Sequence, residues 1–474
     1  MWLRWEGTGK YPNMEEGHMS TTDKARTPSI PAGPGLPGPV VAAAWTLSRR
    51  RLLEGLRRRY GSAFTINLMP FGPCVVLTDA TLTKQLFTTD PLIAGTNDPN
   101  LGNVLGAGST FALEGTEHRA RRKRMVPPFH GRRLRAYEDL MVEETLLEAE
   151  TWPQGVEFAT RDPFMSLTLK IILRTVLGTR ATEVPRLAEL LPEVVELGAR
   201  LTVSPLKEKP GRTWGAWAHY RRLRAEYDRL AFELIDEATA DPLLEERDDV
   251  LAMLVQSRDE DGQPMGRQEI ADELLTLFGA GHETTANTLA WAVERLRRNP
   301  AALDRIVAEV DAGGPTPFLE ATILEVQRTR PVITDVGRRV LAESMTLGGW
   351  TLPRGHQVIV AIDLVHEDES AFPNAHRFDP DRFLNAPADS YSWIPFGGGT
   401  RRCIGAAFAN QEMVVVLRTL LRDYELSTTY APDEKWLSRG VSWSPADGGR
   451  AIVHRRSRPA VVTEEALHAH GVRQ

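Results

Sequence analysis

The stretch "FGGGTRRCIG", residues 396–405, places Cys403 behind three consecutive glycines and two arginines. Residues 404–426 follow with the apolar spacing of a helix and small residues in its first turn. Cys403 is therefore expected just before a helix N-terminus, where free N–H groups and the helix dipole stabilise a thiolate. Arg401 and Arg402 favour the anion too, and the glycines would let the backbone approach a large flat object. The pattern predicts either a nucleophile or a metal ligand.

Composition limits the classes of protein that this chain can be. It has 474 residues, a formal net charge of -6 and 42% apolar residues, which is typical of a globular protein. Its two cysteines exclude a disulfide framework and argue against a Cys-rich zinc or iron–sulfur site. Cys74, beside Val75 and Val76, is predicted to be an inert core thiol.

With no signal peptide and no apolar run of about 18–20 residues, we expect a cytosolic protein without a membrane anchor. The negative charge gives little support for nucleic-acid binding.

The chain divides by pattern into four parts. We expect a disordered leader at 1–27, an extended Pro/Gly-rich lead-in at 28–39, one domain at 40–456 and a flexible tail at 457–474.

Two β-rich runs around Phe71 predict a hairpin. Helical patterns dominate after residue 114, and the longest runs from Arg267 to Arg298, before Pro300. The predicted fold is mainly α with a minor β-sheet. Length alone would suggest about three domains.

The cysteine stretch resembles the haem-binding loop of the cytochrome P450 family, with Phe, Gly, Arg, Cys and Gly at that family's spacing. Five specified positions arise by chance roughly once per million starting positions, so the pattern is specific. The resemblance implies that Cys403 is the axial thiolate of haem b iron, that Phe396 packs beside the sulfur and that Arg401 binds a propionate. An anionic sulfur donates electron density that favours O–O cleavage.

The long predicted helix carries a second motif. Gly279, Gly281 and three threonines (284, 285 and 288) violate helix propensity so densely that we expect a functional kink or opening. Residues 280–284 resemble the family's oxygen-binding motif. The resemblance places Ala280 and Gly281 at the haem, makes Thr284 the alcohol that orders water and makes Glu283 the adjacent acid. A metalloprotease reading of His282-Glu283 fails because Ala286 stands where the second histidine is needed. His282 is expected to be a packing or solvent-channel residue.

Two further motifs point to the same ligand. Glu325 and Arg328 share a helix face, and with Arg382 they resemble the family's Glu-x-x-Arg and Pro-x-Arg-Phe elements, which imply a structural triad. His118 and Arg122 also share a face and resemble the family's His-x-x-x-Arg, which implies contacts to haem propionates. A solvated basic helix is the alternative for that segment. Arg339, or Arg338 if the strand has one extra residue, should add another propionate contact. Because these motifs converge on one ligand, we expect a single haem domain, against the prior from length.

The resemblance implies a monooxygenase that inserts one oxygen atom from O₂ into a hydrophobic organic substrate, lipid-, steroid- or terpenoid-like. Since the sequence shows no flavin-binding segment, electrons should come from a ferredoxin and its NAD(P)H-dependent reductase. We expect a monomer. A peroxide-driven peroxygenase is the first alternative, although the acid–alcohol pair argues against it. A non-catalytic haem sensor or carrier is the second.

Expectations about substrate and partner contacts rest on particular segments. Residues 97–111, 187–220 and 331–336 are predicted to line the substrate pocket, with Thr334 and Asp335 favouring a substrate that carries a polar group. The basic residues at 118–124 suggest a docking site for an acidic ferredoxin, since complementary charge raises association rates. Its outward side chains are expected to be Arg121, Lys123 and Arg124.

Overall fold

The computed structural model describes residues 29–69, 71–96, 101–178, 185–204, 208, 211–384 and 387–457. The leader predicted at 1–27 and nearly all of the tail predicted at 457–474 lie outside these ranges. The helices are α1 Gly38–Tyr60, α2 Ala80–Phe87, α3 Leu101–Leu105, α4 Gly115–Met125, α5 Arg132–Ala136, α6 Glu138–Ala149, α7 Arg161–Leu177, α8 Pro185–Thr202, α9 Ala216–Ala240, α10 Val250–Gln256, α11 Arg267–Arg297, α12 Pro300–Ala312, α13 Pro317–Thr329, α14 Ile362–Val365 and α15 Ala406–Asp423.

Strands make up a minor part of the described chain. They are β1 Ala63–Leu68, β2 Gly72–Leu77, β3 Ala94–Gly95, β4 Phe158–Ala159, β5 Asp335–Val340, β6 Ser344–Leu347, β7 Trp350–Pro353, β8 Gln357–Ala361, β9 Tyr424–Leu426, β10 Trp436–Ser438, β11 Trp443–Pro445, β12 Arg450–Ala451 and β13 Val453–Arg455. One mixed sheet has the order β1-β2-β8-β5-β3, and four strand pairs complete the set. The predicted fold class, mainly α with a minor sheet, is confirmed.

The predicted hairpin around residue 71 is present. β1 and β2 pair antiparallel from Ala63 opposite Leu77 to Leu68 opposite Gly72, and β2 then pairs parallel with β8. Gly72 has a φ of 76°, which the tight turn requires and which glycine adopts without strain. Cys74 is fully buried in β2, and burial raises the pKa of its thiol to about 12. It is the inert core thiol that the sequence predicted.

Helix α11 is the central element of the larger core. Its apolar side chains, among them Phe278, Leu289 and Trp291, are buried against other helices. The Glu269 side chain accepts a hydrogen bond from the backbone N–H of Gly266 and so caps the start of the helix. The helix ends at Arg297, within one residue of the prediction.

The kink predicted in α11 as one possibility is not seen, because the helix runs unbroken through Gly279, Gly281 and the threonines. Each threonine hydroxyl donates to the carbonyl four residues earlier, as Thr284 does to Ala280 at 2.8 Å. Such bonds satisfy the side chain without breaking the helix. Within the described residues, no helix combines the length and apolar character needed to cross a bilayer.

Candidate cofactor site around Cys403

Cys403 lies in a closed loop directly before α15. Its N–H donates to the carbonyl of Phe396 at 2.9 Å, and α15 begins three residues later at Ala406. Gly397 and Gly399 have φ values of 65° and 66°, which the tight loop requires. The ring of Phe396 stacks edge-to-face on Trp393, with centroids 6.0 Å apart. The loop is therefore a defined conformation that presents one thiol at a helix N-terminus.

The middle glycines of the loop serve a close approach to α2. A Cβ on Gly398 would lie 2.1 Å from the ring of Phe87, and one on Gly399 would lie 2.2 Å from the Phe87 carbonyl oxygen. Both distances are shorter than any real contact, so only glycine fits. The close neighbour of Gly398 and Gly399 within the protein is thus Phe87, and the approach of this loop to a large flat object stays a prediction.

The thiol of Cys403 faces an internal space. The residue is exposed, yet burial of the sulfur raises its pKa, so the exposed surface lies inside the protein. The Gly405 N–H and the charges of Arg122 and Arg402 lower that pKa but do not outweigh the burial. The guanidinium of Arg401 points elsewhere and donates to the carbonyls of Thr110 and Leu113 and to the carboxylate of Glu114. A thiol in this setting fits a site where a bound cation holds it as the thiolate.

A short stretch of α11 also faces an internal space. Ala280 is exposed and Gly279, Gly281 and Thr284 are partly exposed, although the helix is otherwise buried around them. A Cβ on Gly281 would lie 3.0 Å from the side chain of Ile172 in α7. Small residues here leave room beside a buried helix, as the resemblance implies for a bound cofactor and dioxygen.

Glu283 is a buried acid beside this opening. Ser442 Oγ donates to its Oε1 at 2.8 Å. Burial raises the pKa of Glu283, whereas the bond from Ser442 and the charge of Arg161 lower it. Its neighbour His282 is also buried, with Nδ1 2.6 Å from the Phe278 carbonyl oxygen, and burial lowers its pKa to about 4. His282 is a neutral packing residue in the structure.

Four basic side chains gather next to the cysteine loop. Burial, followed by the charges of Arg401, Arg122 and Arg338, lowers the pKa of His118 to about 4. Burial and the charge of Arg401 lower the pKa of Arg338 to about 10. Burial lowers the pKa of Arg122, opposed by the charge of Cys403 and reinforced by Arg402 and Arg401, and burial lowers the pKa of Arg401 despite Glu114. The cluster is therefore short of negative charge.

The carboxylate that offsets this cluster, Glu114, is already engaged. It lies 2.9 Å from Arg401 and accepts the backbone N–H of Thr96 at 2.8 Å. One carboxylate against four basic groups fits a ligand that brings further carboxylates. Haem carries two propionates, so the donor set fits haem: a thiol before a helix, an internal space and unneutralised cations.

The structure separates the two arginines that the sequence left open. Arg338 donates to the carbonyl of Gly398 at 3.1 Å, and its guanidinium lies 5.6 Å from the centre of the Phe87 ring. Arg339 is exposed on the opposite face of β5. Since successive side chains of a strand point to opposite faces, only one of the two can reach the cluster. Spacing favoured Arg339, but the register places Arg338 there.

The predicted structural triad is assembled. Arg328 donates through two nitrogens to the carboxylate of Glu325, at 2.7 and 2.8 Å. Arg382 Nε lies 3.2 Å from Glu325 Oε2. Glu325 also accepts the Asp379 N–H at 2.8 Å. The carboxylate thus ties α13 to the segment that precedes the cysteine loop.

Expectations for the basic helix α4 need correction. Arg121 was expected to point outward, but it is 6% exposed and pairs with Glu269 and Glu273 of α11. Lys123 is exposed, as expected, and lies 3.3 Å from the exposed Glu260. Arg124 is mostly buried and lies 3.4 Å from Asp259. These side chains of α4 are thus placed by ion pairs with carboxylates before and within α11, which lie far from α4 in the sequence.

The polar pocket residues expected at 334 and 335 are also engaged elsewhere. Thr334 is 2% exposed, and its hydroxyl donates to Asp335 at 2.9 Å. Asp335 forms an ion pair with the buried Arg49. These side chains therefore give no support for a polar group on the substrate.

Several residues at or near the site carried no signal in the sequence. Ser442, Asn287 and Arg161 form a hydrogen-bond chain to Glu283. His366 accepts the N–H of Ile394 at 2.9 Å and lies 3.0 Å from the Arg328 carbonyl oxygen. Glu412 of α15 is buried, which raises its pKa well above its ordinary value. Asn287 shares α11 with the motif at 280–284, and Glu412 lies in the helix that follows the cysteine loop. Ser442, Arg161 and His366 are far in sequence from the residues that they contact, so local spacing could not reveal those three.

Comparison with known proteins gives one family. The family described as Cytochrome P450 matches residues 31–445. The chain is 47% identical over 434 residues to cytochrome P450 138 of Mycobacterium tuberculosis, covering 90% of this chain and 98% of the relative. It is 40% identical to cytochrome P450 135B1 of the same species, covering 92% and 94%. Among solved structures, retinoic acid-bound cyanobacterial CYP120A1 has a TM-score of 0.80 at 23% identity, covering 90% of this chain and all of that one. The cytochrome P450DA heme domain has a TM-score of 0.78 at 22% identity, covering 91% and 99%.

Proposed function

This chain belongs to the cytochrome P450 family and is a haem monooxygenase, and from that premise we propose which of its residues carry the reaction. Cys403 would hold the haem iron through its thiolate, with Phe396 packed beside it. When bound, the haem supplies the activation of O₂ that allows one oxygen atom to enter an organic substrate. Ala280 and Gly281 leave the room that the cofactor and a small gas molecule need beside α11.

The observation that carries this proposal is the under-neutralised basic cluster beside Cys403. His118, Arg122, Arg338 and Arg401 bind the two propionates, and Arg339 does not. Burial and, after it, repulsion from neighbouring arginines lower the pKa values of His118 and Arg338, and anionic propionates would offset that repulsion. His118 is neutral near pH 7, so it takes part as a hydrogen-bond donor and the three arginines supply the charge.

Glu283 and Thr284 handle protons. Because burial raises the pKa of Glu283, its carboxyl group retains a proton at higher pH than an exposed glutamate would. The Thr284 hydroxyl donates to the Ala280 carbonyl, which leaves its oxygen free to accept a hydrogen bond from water. An acid next to an ordered alcohol suits stepwise proton delivery.

The proposed substrate is a hydrophobic organic molecule, lipid-, steroid- or terpenoid-like, and the proposed electron donor is a ferredoxin with an NAD(P)H-dependent reductase in the cytosol. The predicted pocket segments combine apolar side chains, such as Val104, Leu105 and Phe111, with polar ones, and residues 97–100, 205–207 and 209–210 of these segments lie outside the described ranges. The exposed basic side chains of α4, Arg119 and Lys123, are one helical turn apart and form the proposed docking face.

Replacement of the ligand tests the assignment of Cys403. Cys403→Ser should fold but lose the red-shifted Soret band of the ferrous-carbonyl complex, because that band requires a thiolate as protein ligand to the haem iron. Cys74→Ser, at the buried thiol of β2, is the control and should keep the band. A Cys403→Ser protein that retains it would contradict the proposal.

A further inference from the structure

A chain of hydrogen bonds reaches Glu283 from the surface of α7. Arg161 Nε donates to Asn287 Oδ1 at 2.9 Å, and Asn287 Nδ2 donates to Ser442 Oγ at 3.1 Å. Ser442 Oγ then donates to Glu283 Oε1 at 2.8 Å. Every group donates toward Glu283, so the chain has one direction and ends on the carboxyl group. Asn287 and Ser442 are buried, at 0% and 1% exposed, while Arg161 reaches the exposed Asp162.

The turn that carries Ser442 is fixed in place. The Arg439 N–H donates to the Ser442 carbonyl oxygen at 2.8 Å, and the Trp443 N–H donates to the Val332 carbonyl oxygen at 2.8 Å. Gly440, at a φ of 103°, lies so close to α8 that a Cβ would be 2.7 Å from the Ala199 carbonyl oxygen. Such contacts leave the Ser442 hydroxyl little freedom to move away from Glu283.

Charges from three elements act on Glu283. Arg161 of α7 and Arg439 of the turn favour its carboxylate, whereas Glu196 of α8 disfavours it. Burial disfavours the carboxylate most strongly, and the bond from Ser442 opposes that effect more than any charge does. Of the groups that lower the pKa of Glu283, Ser442 therefore has the largest effect.

We propose that Ser442, Asn287 and Arg161 are positioning residues for Glu283, and that their donor chain holds its carboxyl group in one orientation and controls the pH at which it takes up a proton. With Oε1 accepting from Ser442, the proton resides on Oε2. Release of that proton leaves a carboxylate that the donor chain stabilises, and a proton from water restores the acid. The importance of the chain for turnover rests on the proposed role of Glu283, but the control of its protonation does not.

Infrared titration of the haem-loaded protein tests this directly. The C=O stretching band of protonated Glu283 is identified by its loss in Glu283→Gln, and its intensity is followed with pH. Ser442→Ala should raise the midpoint by roughly one to two pH units, because a hydrogen bond to a charged group is lost. Ser442→Thr keeps the hydroxyl and should restore the wild-type midpoint. Arg161→Gln keeps a hydrogen-bond donor but removes the charge, so the midpoint should rise by less than it does in Ser442→Ala.

Ser444→Ala is the matched control. Ser444 is equally buried on the same hairpin, but its hydroxyl accepts from Arg439 at 3.2 Å rather than bonding Glu283, so the midpoint should not move. An unchanged midpoint in Ser442→Ala would overturn the inference. A shifted midpoint, together with normal coupling of NAD(P)H oxidation to product in Glu283→Gln, would support the donor chain and contradict the proton role proposed for Glu283.

Discussion

At the scale of single residues, Thr284 combines partial exposure with a fixed hydroxyl. Thr284→Ala removes the hydroxyl that we propose orders water beside Glu283, while the helix loses only a bond back to its own backbone. We expect substrate binding to remain near normal and product formed per NAD(P)H consumed to fall by about tenfold, with peroxide accounting for the difference.

The same helix supplies the control for this prediction. Thr288→Ala, one turn further, removes a buried hydroxyl that also donates to the carbonyl four residues earlier. It should leave coupling intact. Simultaneous measurement of NAD(P)H, product and peroxide distinguishes the two variants, and equal coupling in both would remove Thr284 from the proposed machinery.

His366 has one defined tautomer and should affect stability in a pH-dependent way. Because Nε2 accepts the Ile394 N–H, the proton lies on Nδ1 and is donated to the Arg328 carbonyl oxygen. Burial lowers its pKa to about 3, below the 6.5 of an ordinary histidine. Its contribution to stability is therefore complete above about pH 6.5 and is lost as the pH falls toward 3, by up to about 1.4 kcal/mol per pH unit.

Equilibrium unfolding at two pH values checks this sign. His366→Gln should lower the free energy of unfolding more at pH 7.5 than at pH 5, because wild type has already lost part of the histidine's contribution at the lower pH. His376→Gln, at a position 84% exposed, should show no such difference. A His366→Gln cost that is the same at both pH values would contradict the assignment.

At the scale of elements, one carboxylate joins α13 to the segment that precedes the cysteine loop. Glu325→Gln would leave the buried Arg328 and the nearby Arg382 facing each other without a counter-charge. Breaking a buried pair in this way costs about 3–5 kcal/mol. We expect a large fall in unfolding free energy and faster loss of haem on mild heating.

An exposed pair from the same segment provides the comparison. Asp381 lies 2.7 Å from Arg305, and both side chains are about half exposed. Asp381→Asn should cost at most about 1 kcal/mol, because solvent screens that pair. Denaturant titration of both variants measures the contrast, and similar costs would mean that Glu325 is not the carboxylate on which this junction depends.

Elements also show what the sequence could and could not predict. Motifs whose members lie close together, such as Glu325 and Arg328 at i,i+3, were predictable because helix geometry fixes their relation. The choice between Arg338 and Arg339 depends on strand register, and the burial of Arg121 depends on carboxylates about 150 positions away. Ser442 reaches Glu283 across 159 positions. Such contacts follow from tertiary packing, which local spacing does not encode.

At the scale of the whole molecule, charge is distributed unevenly. The chain has a formal net charge of -6, yet α4 and α5 carry exposed basic side chains, among them Arg119, Lys123 and Arg135. α4 also supplies His118 and Arg122 to the cluster beside Cys403. One helix thus joins the proposed cofactor site to a basic surface, which is where an acidic electron donor would approach most closely.

Charge reversal on this surface should slow electron transfer without disturbing the site. Arg119 and Lys123 are exposed, and their ion pairs with the exposed Asp90 and Glu260, at 4.0 and 3.3 Å, are screened by solvent and therefore weak enough for a partner to replace. The double variant Arg119→Glu and Lys123→Glu should reduce the rate of reduction by ferredoxin by about tenfold at low ionic strength. Added salt should reduce the difference in reduction rate between wild type and the double variant, because screening weakens the attraction between wild type and ferredoxin.

Three further measurements distinguish a loss of ferredoxin docking from damage to the cofactor site. Reduction by dithionite and the substrate-induced spin-state shift should be the same in the double variant and in wild type, since neither needs a docked protein. Arg229→Glu, which reverses an exposed charge on α9 that is likewise paired, should leave the ferredoxin rate unchanged. Stopped-flow reduction over a range of salt concentrations supplies the data. If the double variant and wild type show the same salt-independent rate, the donor must reach the haem from a surface other than α4.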